Sequence, residues 1–484
     1  MEGYIKLNEK DNVSVAVRAG LAVPMGHKMA LCDIAQGENI IKYGFAIGSA
    51  KADIKKGEQV HTHNVRTNLD DVLEYRYTPS FTPTVQKAPQ MFKGYQRADG
   101  SVGIRNEIWI INTVSCVNST CRKLADMANE RILPKFAGKV DGVYTFSHPY
   151  GCSQMGDDHL TTQKALAGLV NHPNAAAVLV VGLGCENNFV ASFIEKGLDG
   201  KYDEERVRFM VTQDVEDEYE EGLSLIEKLM EYAAGFTRQE LPVSKIKVGL
   251  KCGGSDGFSG ITGNPLIGRF SDMLIAQGGT SVLTEVPEMF GAETILMDRC
   301  INEEVFDKTV SLINDFKLYF KQNGQVIYEN PSPGNKEGGI TTLEDKSLGC
   351  TQKGGISPVT DVLKYGEQAH VPGLTLLSAP GNDLVAETAL TIAGCQMILF
   401  STGRGTPLGA PVPTVKVSTN SALAVRKKGW IDFNAGKLVE GAAMDDVADE
   451  FFRYLVGVCS GENLTKNETS GYREIGIFKS GVTV

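Results

Sequence analysis

From Gly94 onward, apolar runs alternate with amphipathic stretches, and this alternation constrains the fold more than any other feature of the sequence. Helical periodicity predicts helices over Glu216–Phe236, around Asp307–Gln322 and near Met444–Leu455. Continuous apolar runs between helices are typical of parallel strands that are covered on both faces. The predicted fold class is therefore α/β. The runs read as strands include EIWIINTVS, AAAVLVVGLG, RVRFMVTQD, IKVGLKCGG, TSVLTEVP, GLTLLSAPG and CQMILFSTG.

The first 77 residues have a different sequence pattern, in which short β-like runs are separated by turns that contain glycine and charged residues. Such spacing predicts a compact all-β module. The segment TPSFTPTVQKAPQM follows Tyr77, and its three prolines and two Thr-Pro steps favour an extended linker. The predicted organisation is an all-β domain over 1–77, a linker over 78–93, an α/β domain over 94–243 and a C-terminal α/β domain over 244–484.

Composition narrows the class of protein. The 484 residues are 42% hydrophobic and 22% charged, which excludes a mainly disordered or fibrous chain. The net charge of −11 argues against nucleic-acid and anionic-membrane partners. The N-terminus MEGYIKLNEKDN lacks an apolar leader core, and no run of about 18 apolar residues occurs, so a cytoplasmic protein is predicted.

Four of the ten cysteines follow apolar strands where the chain enters a glycine-rich or polar turn: Cys116, Cys152, Cys185 and Cys252. The carboxyl ends of strands line the ligand crevice of an open α/β sheet, so these thiols are candidates for one site. Three thiolates suit an iron–sulfur cluster with one open iron, and one or two suit a single metal shared with imidazole and carboxylate. No CxxC spacing chooses between them. The alternative is that each cysteine is a small core residue.

The seven histidines include one close pair, His61 and His63, at the end of a predicted strand. Residues two apart on a strand share a face, as an HxH metal half-site requires, although an exposed strand end with two ordinary histidines is the alternative. The nearby Arg66 is a candidate for binding an anionic substrate, and surface solvation explains it equally well.

Two further histidines, His148 and His159, flank Cys152 and are candidate acid–base groups, with a structural role as the alternative for each. The glycine-rich loop Cys252–Asn264 offers backbone amides together with Ser255 and Asp256 to a carboxylate or polyol. It lacks the Lys-Ser/Thr ending of a nucleotide loop. The cations near such loops are candidate substrate ligands or solvated surface groups: Lys251, Lys353 and Arg404.

Several blocks together resemble the altronate/galactarate dehydratase family. The N-terminal stretch KYGFAIGSAKADIKKGEQVHTHNVRTNLDD is similar to the SAF domain of that family. The remainder carries blocks similar to the large-domain blocks of the family, to the terminal IFKSGVTV: GSVGIRNEIWI, YGCSQMGDDH, VLVVGLGCENN, CGGSDGFSGITGNP, TEVPEMFGAE, ENPSPGNKEGGITTLEDKSLGCTQK, LLSAPGNDLVAETAL and FSTGRGTP.

The resemblance implies a β-clip-like SAF domain, two Rossmann-like domains and a hydro-lyase that converts D-altronate to 2-keto-3-deoxy-D-gluconate in hexuronate catabolism. It implies dependence on iron(II) or another divalent metal such as manganese. An iron–sulfur cluster, raised by the strand-end cysteines, is the alternative cofactor. The matching blocks imply a set of candidate site residues: His61, His63, Cys152, His159, Cys185, Cys252, Ser255, Asp256 and Cys350. The predicted partner is a small sugar acid, and a homo-oligomer is expected. A galactarate dehydratase, a sulfolactate sulfo-lyase and a non-catalytic sugar-acid or metal sensor are the alternatives.

Overall fold

The computed structural model describes residues 2–69 and 72–482. Its N-terminal module contains two small antiparallel sheets, with strand orders β1-β2-β3-β6 and β4-β5-β7. Short strands joined by tight glycine turns enclose a small core in which Ile40, Ile47 and Val60 are fully buried. The strands are β1 Tyr4–Ile5, β2 Val13–Ala16, β3 Lys28–Ala30, β4 Asn39–Lys42, β5 Phe45–Ala50, β6 Gln59–Val60 and β7 Val65–Arg66.

The second domain is built on a four-stranded parallel sheet of order β11-β10-β12-β13. Its central strand β12 is buried at every position, as expected for a strand covered by helices on both faces. A small antiparallel sheet of order β14-β8-β9 closes one end. The elements are β8 Met91–Gln96, β9 Val102–Gly103, β10 Glu107–Asn112, α1 Asn118–Arg131, β11 Gly142–Thr145, α2 Gly156–Val170, β12 Ala175–Gly182, α3 Val190–Ser192, β13 Val207–Val211, α4 Glu218–Ala233 and β14 Gln239–Pro242.

The C-terminal domain contains a seven-stranded parallel sheet of order β17-β18-β16-β15-β19-β20-β21. Its first two strands in the chain, β15 and β16, lie side by side near the centre. The elements are β15 Lys247–Cys252, α5 Gly263–Ala276, β16 Thr280–Leu283, α6 Glu293–Met297, α7 Glu303–Gln322, α8 Pro333–Glu337, α9 Leu343–Cys350, β17 Val359–Leu363, β18 Gly373–Leu377, α10 Asp383–Ile392, β19 Met397–Thr402, β20 Thr414–Ser418, α11 Ser421–Arg426, β21 Phe433–Asn434, α12 Met444–Cys459 and α13 Lys466–Ser470.

The predicted fold class is confirmed: an all-β module precedes two parallel-sheet α/β domains. The three predicted helices are present as α4, α7 and α12, each within a few residues of its expected bounds. The domain boundaries at 77, 93 and 243 stay predictions. Within the described residues, no helix has the length and apolarity needed to cross a membrane.

The N-terminal module packs on the C-terminal domain through a buried charge triad. Lys28 and Lys42 reach from the module to the two oxygens of Asp345 on α9, at 2.8 Å and 2.9 Å. Burial opposes ionisation of Asp345, but attraction to both ammonium groups holds the pKa of its carboxyl well below the usual range. Close backbone approach accompanies the triad, since a Cβ at Gly257 would collide with the carbonyl oxygen of Gly26. The module is therefore seated against the C-terminal domain by ionic and steric fit.

A buried histidine between the second and C-terminal domains makes stability depend on pH. His172 lies against Cys395, whose carbonyl accepts from Nε2 at 3.1 Å, while Nδ1 accepts from the Asn174 amide at 3.1 Å. Burial lowers the pKa of His172 to about 3. The unfolded chain binds a proton at this residue below about pH 6.5, whereas the folded chain does not, so stability falls as the pH drops from 6.5 toward 3.

We expect His172→Gln to remove this contribution to the pH dependence. Between pH 6.5 and pH 5 the wild-type chain should lose about 1.6 kcal/mol of unfolding free energy through His172, because the slope approaches 1.36 kcal/mol per pH unit only below the unfolded pKa. Urea unfolding of both chains at the two pH values measures the difference. Equal losses in the variant and the wild type would contradict the assignment.

Candidate functional site

The carboxyl ends of β15 and β16 bring two thiols and a carboxylate together in the C-terminal domain. Cys252 ends β15, Glu288 follows β16, and Cys350 ends α9. The two sulfurs are 3.4 Å apart, and Glu288 Oε2 lies 3.4 Å from Cys252 Sγ and 3.1 Å from Cys350 Sγ. All three side chains are buried, and within the described residues they form the one group of this kind with ligand atoms within 4.8 Å of one another.

Buried lysines surround this group, which we call the Cys-Glu-Cys centre. Lys353 Nζ lies 2.9 Å from Cys252 Sγ and 3.1 Å from Glu285 Oε2. Lys346 Nζ lies 2.8 Å from the second oxygen of Glu288. The Glu288 carboxylate therefore turns one oxygen toward the thiols and the other toward an ammonium group.

A third lysine continues the network toward the protein surface. Lys251 donates to both Glu285 and Asp383, and the distance to Asp383 is 2.8 Å. Glu285 has a left-handed backbone conformation with φ of 70°, and its carboxylate also accepts from the Cys252 amide at 3.0 Å. This strained turn after β16 aims Glu285 at the end of β15.

Electrostatics favour an ionised Glu288. Burial acts to raise the pKa of its carboxyl, but attraction to Lys346, Lys251 and Lys353 outweighs burial and holds the pKa well below the ordinary value. The pKa of Lys346 is raised, because its attraction to Glu288 exceeds the effect of burial. The centre therefore keeps a carboxylate ligand at neutral pH.

The Cys350 thiol carries a proton that a metal would displace. The hydrogen bond to Cys252, burial and neighbouring negative charge raise the pKa of the Cys350 thiol well above its ordinary value. Metal ligands must be deprotonated, so a divalent cation would displace the proton of Cys350 on binding. The surrounding charges already balance, with three ammonium groups and three carboxylates: Lys251, Lys346, Lys353, Glu285, Glu288 and Asp383.

The spacing of the Cys-Glu-Cys centre fits a single metal ion. A tetrahedral ion bound 2.3 Å from each sulfur holds the two sulfurs about 3.8 Å apart, so the observed 3.4 Å needs an opening of only a few tenths of an ångström. Two thiolates and one carboxylate are three protein ligands, which leaves a fourth position for a substrate oxygen. The donor set suits a soft or borderline metal.

The glycine-rich loop and the N-terminal module cover this centre. Ser255 is buried, and its Oγ has no hydrogen-bond partner within the described residues. Asp256 is buried too, and its carboxylate accepts from Thr419 Oγ1 at 2.9 Å; burial raises the pKa of this carboxyl. The cavity between this loop, Tyr43 and Cys350 is about 10 Å³, the size of a single water. The cavity in this conformation is therefore too small for an organic ligand.

The predicted HxH pair lies in a turn after β6, and its two imidazoles have different surroundings. His61 is half-buried and its Nδ1 lies 3.1 Å from Thr341 Oγ1, whereas His63 is exposed. Burial and the nearby Lys28 lower the pKa of His61 to about 4. Arg66 is exposed as well. The structure does not bring either imidazole into the Cys-Glu-Cys centre.

Five other predicted site residues lie in the C-terminal domain. Lys251, Lys353, Ser255 and Asp256 lie at or beside the Cys-Glu-Cys centre, and their roles stay predictions. Arg404 is half-exposed and pairs with Glu337 at 2.9 Å.

The two predicted acid–base histidines lie in the second domain. His148 is buried, its Nε2 is 2.9 Å from the Asn112 carbonyl, and its Nδ1 accepts from the Tyr150 amide. The Nε2 atom of His159 is buried and has no hydrogen-bond partner within the described residues. The proton-transfer role of both stays a prediction. Cys152 and Cys185 are exposed on the same domain, apart from Cys252.

Sequence reasoning missed the acidic half of the centre. Glu285 and Glu288 flank Val286 and Pro287 directly after the apolar run TSVL, so they occupy a strand end as the cysteines do. Their position at a strand end was the sequence feature that could have identified them as site residues. Lys346 gave no comparable signal, because its contact with Glu288 depends on the path of the chain between residues 288 and 346.

Three family models match the chain. The model described as D-galactarate/altronate dehydratase, C-terminal, matches residues 243–483. The second domain of D-galactarate dehydratase/altronate hydrolase matches residues 94–234, and the altronate/galactarate dehydratase SAF domain matches residues 16–68. The resemblance drawn from the sequence blocks is confirmed.

Individual relatives agree with the models over the full length. The chain is 55% identical to the altronate dehydratase of Escherichia coli (strain K12), over 99% of the chain and 100% of the relative. It is 53% identical to the altronate dehydratase of Bacillus subtilis (strain 168), over 100% of both chains. Identity to the galactarate dehydratase (L-threo-forming) of E. coli is 32%, over 98% of the chain and 96% of the relative.

Proposed function

This chain belongs to the D-galactarate/altronate dehydratase family, and from that membership we propose that it is a hydro-lyase that removes water from D-altronate to give 2-keto-3-deoxy-D-gluconate. The assignment of D-altronate as substrate rests on a difference in sequence identity over the full length. The identity is 55% and 53% to two altronate dehydratases and 32% to a galactarate dehydratase. The Cys-Glu-Cys centre supplies a site with the chemistry that the reaction needs.

The reaction needs stabilisation of negative charge beside a carboxylate. Removing the proton from C2 of a sugar acid places a second negative charge next to the first. The C2 proton and the C3 hydroxyl leave together as one water, and the remaining enol rearranges to the 2-keto acid. Cys252, Glu288 and Cys350 would hold a divalent ion, which would supply Lewis-acid stabilisation of these charges worth several kcal/mol. We propose iron(II), because thiolate and carboxylate ligands together suit a borderline ion better than a hard one such as manganese.

The lysines of the site differ in the donors that they retain. An ammonium group has three N–H donors. Lys251 uses three, to Cys252 O, Glu285 and Asp383, and Lys346 uses three, to Glu288, Asn330 and Asn335.

Within the described residues, Lys353 donates to two partners, Cys252 Sγ and Glu285. We therefore infer that Lys353 turns its third N–H to the substrate carboxylate. Attraction to Cys252 and Glu285 outweighs burial and raises the pKa of Lys353, which favours the ammonium form.

The glycine-rich loop completes substrate binding. The unpartnered Ser255 hydroxyl donates to a substrate oxygen, which satisfies a buried polar group that is otherwise without a partner. When the N-terminal module closes over the loop, the site is dry and the charges act at low dielectric. The compartment that fits this chemistry is the reducing cytoplasm, where the buried thiols stay free.

A product assay tests the proposal. Anaerobically purified protein is given D-altronate, galactarate and sulfolactate in separate reactions, and 2-keto-3-deoxy acids and sulfite are measured. We expect kcat/KM for D-altronate to exceed that for galactarate at least about tenfold, with no sulfite formed. Faster turnover of galactarate than of D-altronate, or release of sulfite, would show that the chain has a different activity of its family. Saturable D-altronate binding with no product from any substrate would support a sensor.

A further inference from the structure

Three cysteines of the second domain lie at one edge of its parallel sheet and are exposed. Cys116, Cys152 and Cys185 follow β10, β11 and β12, which are neighbours in the sheet order β11-β10-β12. Cys32 of the N-terminal module is the fourth exposed cysteine, and the other six are buried. Because these three thiols are exposed, packing in the hydrophobic core does not explain why cysteine occupies these positions. We call Cys116, Cys152 and Cys185 together the thiol edge.

Hydrogen bonds tie the three loops of the thiol edge together. The Ser115 amide donates to the Tyr150 carbonyl at 2.9 Å, which joins the Cys116 loop to the Cys152 loop. The Ser153 amide donates to Asn187 Oδ1 at 2.8 Å, which joins the Cys152 loop to the Cys185 loop. Each cysteine is therefore within two residues of a bond to a neighbouring loop.

Backbone conformation fixes the central loop in place. Gly151 and Ser153, on either side of Cys152, have positive φ angles of 97° and 58°. A Cβ at Gly151 would collide with the carbonyl oxygen of Thr113, so only glycine allows this loop to approach β10. The left-handed Ser153 is a sparsely populated conformation that the surrounding bonds hold. The loop geometry therefore presents Cys152 at the same edge as the other two thiols.

The acidic residue of the edge has other partners. Glu186, next to Cys185, accepts from Thr113 Oγ1 at 2.7 Å and from the Leu183 and Gly184 amides at 3.0 Å and 2.7 Å. These bonds hold its carboxylate against the backbone. Glu186 is therefore engaged elsewhere, and the three sulfurs are the candidate ligands at this edge.

The three sulfurs do not suit a single metal ion. A single tetrahedral ion requires sulfurs about 3.8 Å apart, yet these three do not form a ligand group within 4.8 Å, as the described side chains of the Cys-Glu-Cys centre do. A cubane cluster spaces its thiolates more widely, because each thiolate binds a different iron. We propose that Cys116, Cys152 and Cys185 bind a [4Fe–4S] cluster through three of its irons.

The fourth iron of this cluster has no cysteine from the domain. Cys121 is the remaining cysteine of 94–243, and it is fully buried on α1, where burial raises the pKa of its thiol to about 12. The fourth iron is therefore open to water or to an oxygen ligand. The thiol edge and the Cys-Glu-Cys centre lie in different domains on different sheets. The proposal of a metal at one site can therefore be tested independently of the other.

Sulfide analysis tests the cluster in the full-length chain. Protein is reconstituted anaerobically with iron and sulfide and desalted, and then iron, acid-labile sulfide and the EPR spectrum after reduction are measured. We expect about four sulfides per wild-type chain. Cys116→Ser, Cys152→Ser and Cys185→Ser should each lower the sulfide content at least fivefold, while Cys32→Ser, an exposed control, leaves it unchanged.

Two further measurements make the result decisive. Cys350→Ser should keep wild-type sulfide while losing turnover, which separates this proposal from the proposed function. Alkylation with mass spectrometry should show the three thiols of the edge protected in the loaded wild-type chain and Cys32 modified, a readout that needs no variant to fold. Wild-type protein without sulfide, iron bound without sulfide, or unprotected thiols would each overturn the cluster.

Discussion

Glu288→Gln is expected to lower D-altronate turnover about 10³-fold or more and to abolish tight metal binding. The change keeps the shape of the side chain but removes the charge of the one carboxylate in the Cys-Glu-Cys centre. It also leaves the buried Lys346 without the counter-charge 2.8 Å away. Lewis-acid stabilisation is worth several kcal/mol, and each 1.4 kcal/mol is a factor of ten in rate. Steady-state turnover and metal content per chain measure both effects.

A matched control separates loss of the metal from loss of a buried charge. Glu293→Gln breaks the pair with Lys317, which is also buried and 2.9 Å long but lies outside the centre. This variant should lose stability and keep its metal and its turnover per folded chain. Cys300→Ser is the corresponding control for Cys350→Ser, since Cys300 is buried in the same domain. If Glu288→Gln retained wild-type metal content and rate, the centre would lose its assigned role.

Asp345→Asn is expected to release the N-terminal module. The substitution removes the single carboxylate that serves both Lys28 and Lys42, and it leaves two ammonium groups in a buried contact. Breaking a buried ion pair by removing one partner costs about 3–5 kcal/mol. The transition of the module should move down by at least about 10 °C in calorimetry, and residues 78–90 should become sensitive to protease.

Two comparisons identify the cause of that loss. Asp33→Asn removes an exposed partner of Lys55 in the same module and should change stability by less than about 1 kcal/mol. Replacing the whole triad, as K28M/K42M/D345L, removes the unpaired charges and should recover most of the stability. An Asp345→Asn protein with the wild-type transition and wild-type protease resistance would show that the triad does not hold the module.

The fold was largely predictable because its signals are local. Runs such as AAAVLVVGLG become fully buried strands, and only helix-covered parallel strands stay apolar on both faces. The module was recognisable from short strands between tight turns. The strand order β17-β18-β16-β15-β19-β20-β21 was not predictable, since it depends on packing between segments more than a hundred residues apart.

The site was predictable only in part, for the same reason. Cys252 stood out because it ends a strand, yet its partners Glu288 and Cys350 come from 36 and 98 residues further along the chain. The strand-end rule places thiols at sheet edges but does not say which sheet. It grouped Cys152 and Cys185 with Cys252, although the first two lie on the second domain and the third on the C-terminal domain.

The most direct test of a metal-dependent dehydratase is a chelation cycle followed by D-altronate turnover. Anaerobic wild-type protein and Cys350→Ser are assayed as purified, after a chelator has removed their metal, and after iron(II) is returned. We expect the wild-type chain to lose turnover on chelation and to regain it with iron(II), whereas Cys350→Ser stays inactive throughout. Full wild-type turnover after metal removal, or restoration of Cys350→Ser by iron(II), would show that dehydration does not depend on a metal at the Cys-Glu-Cys centre.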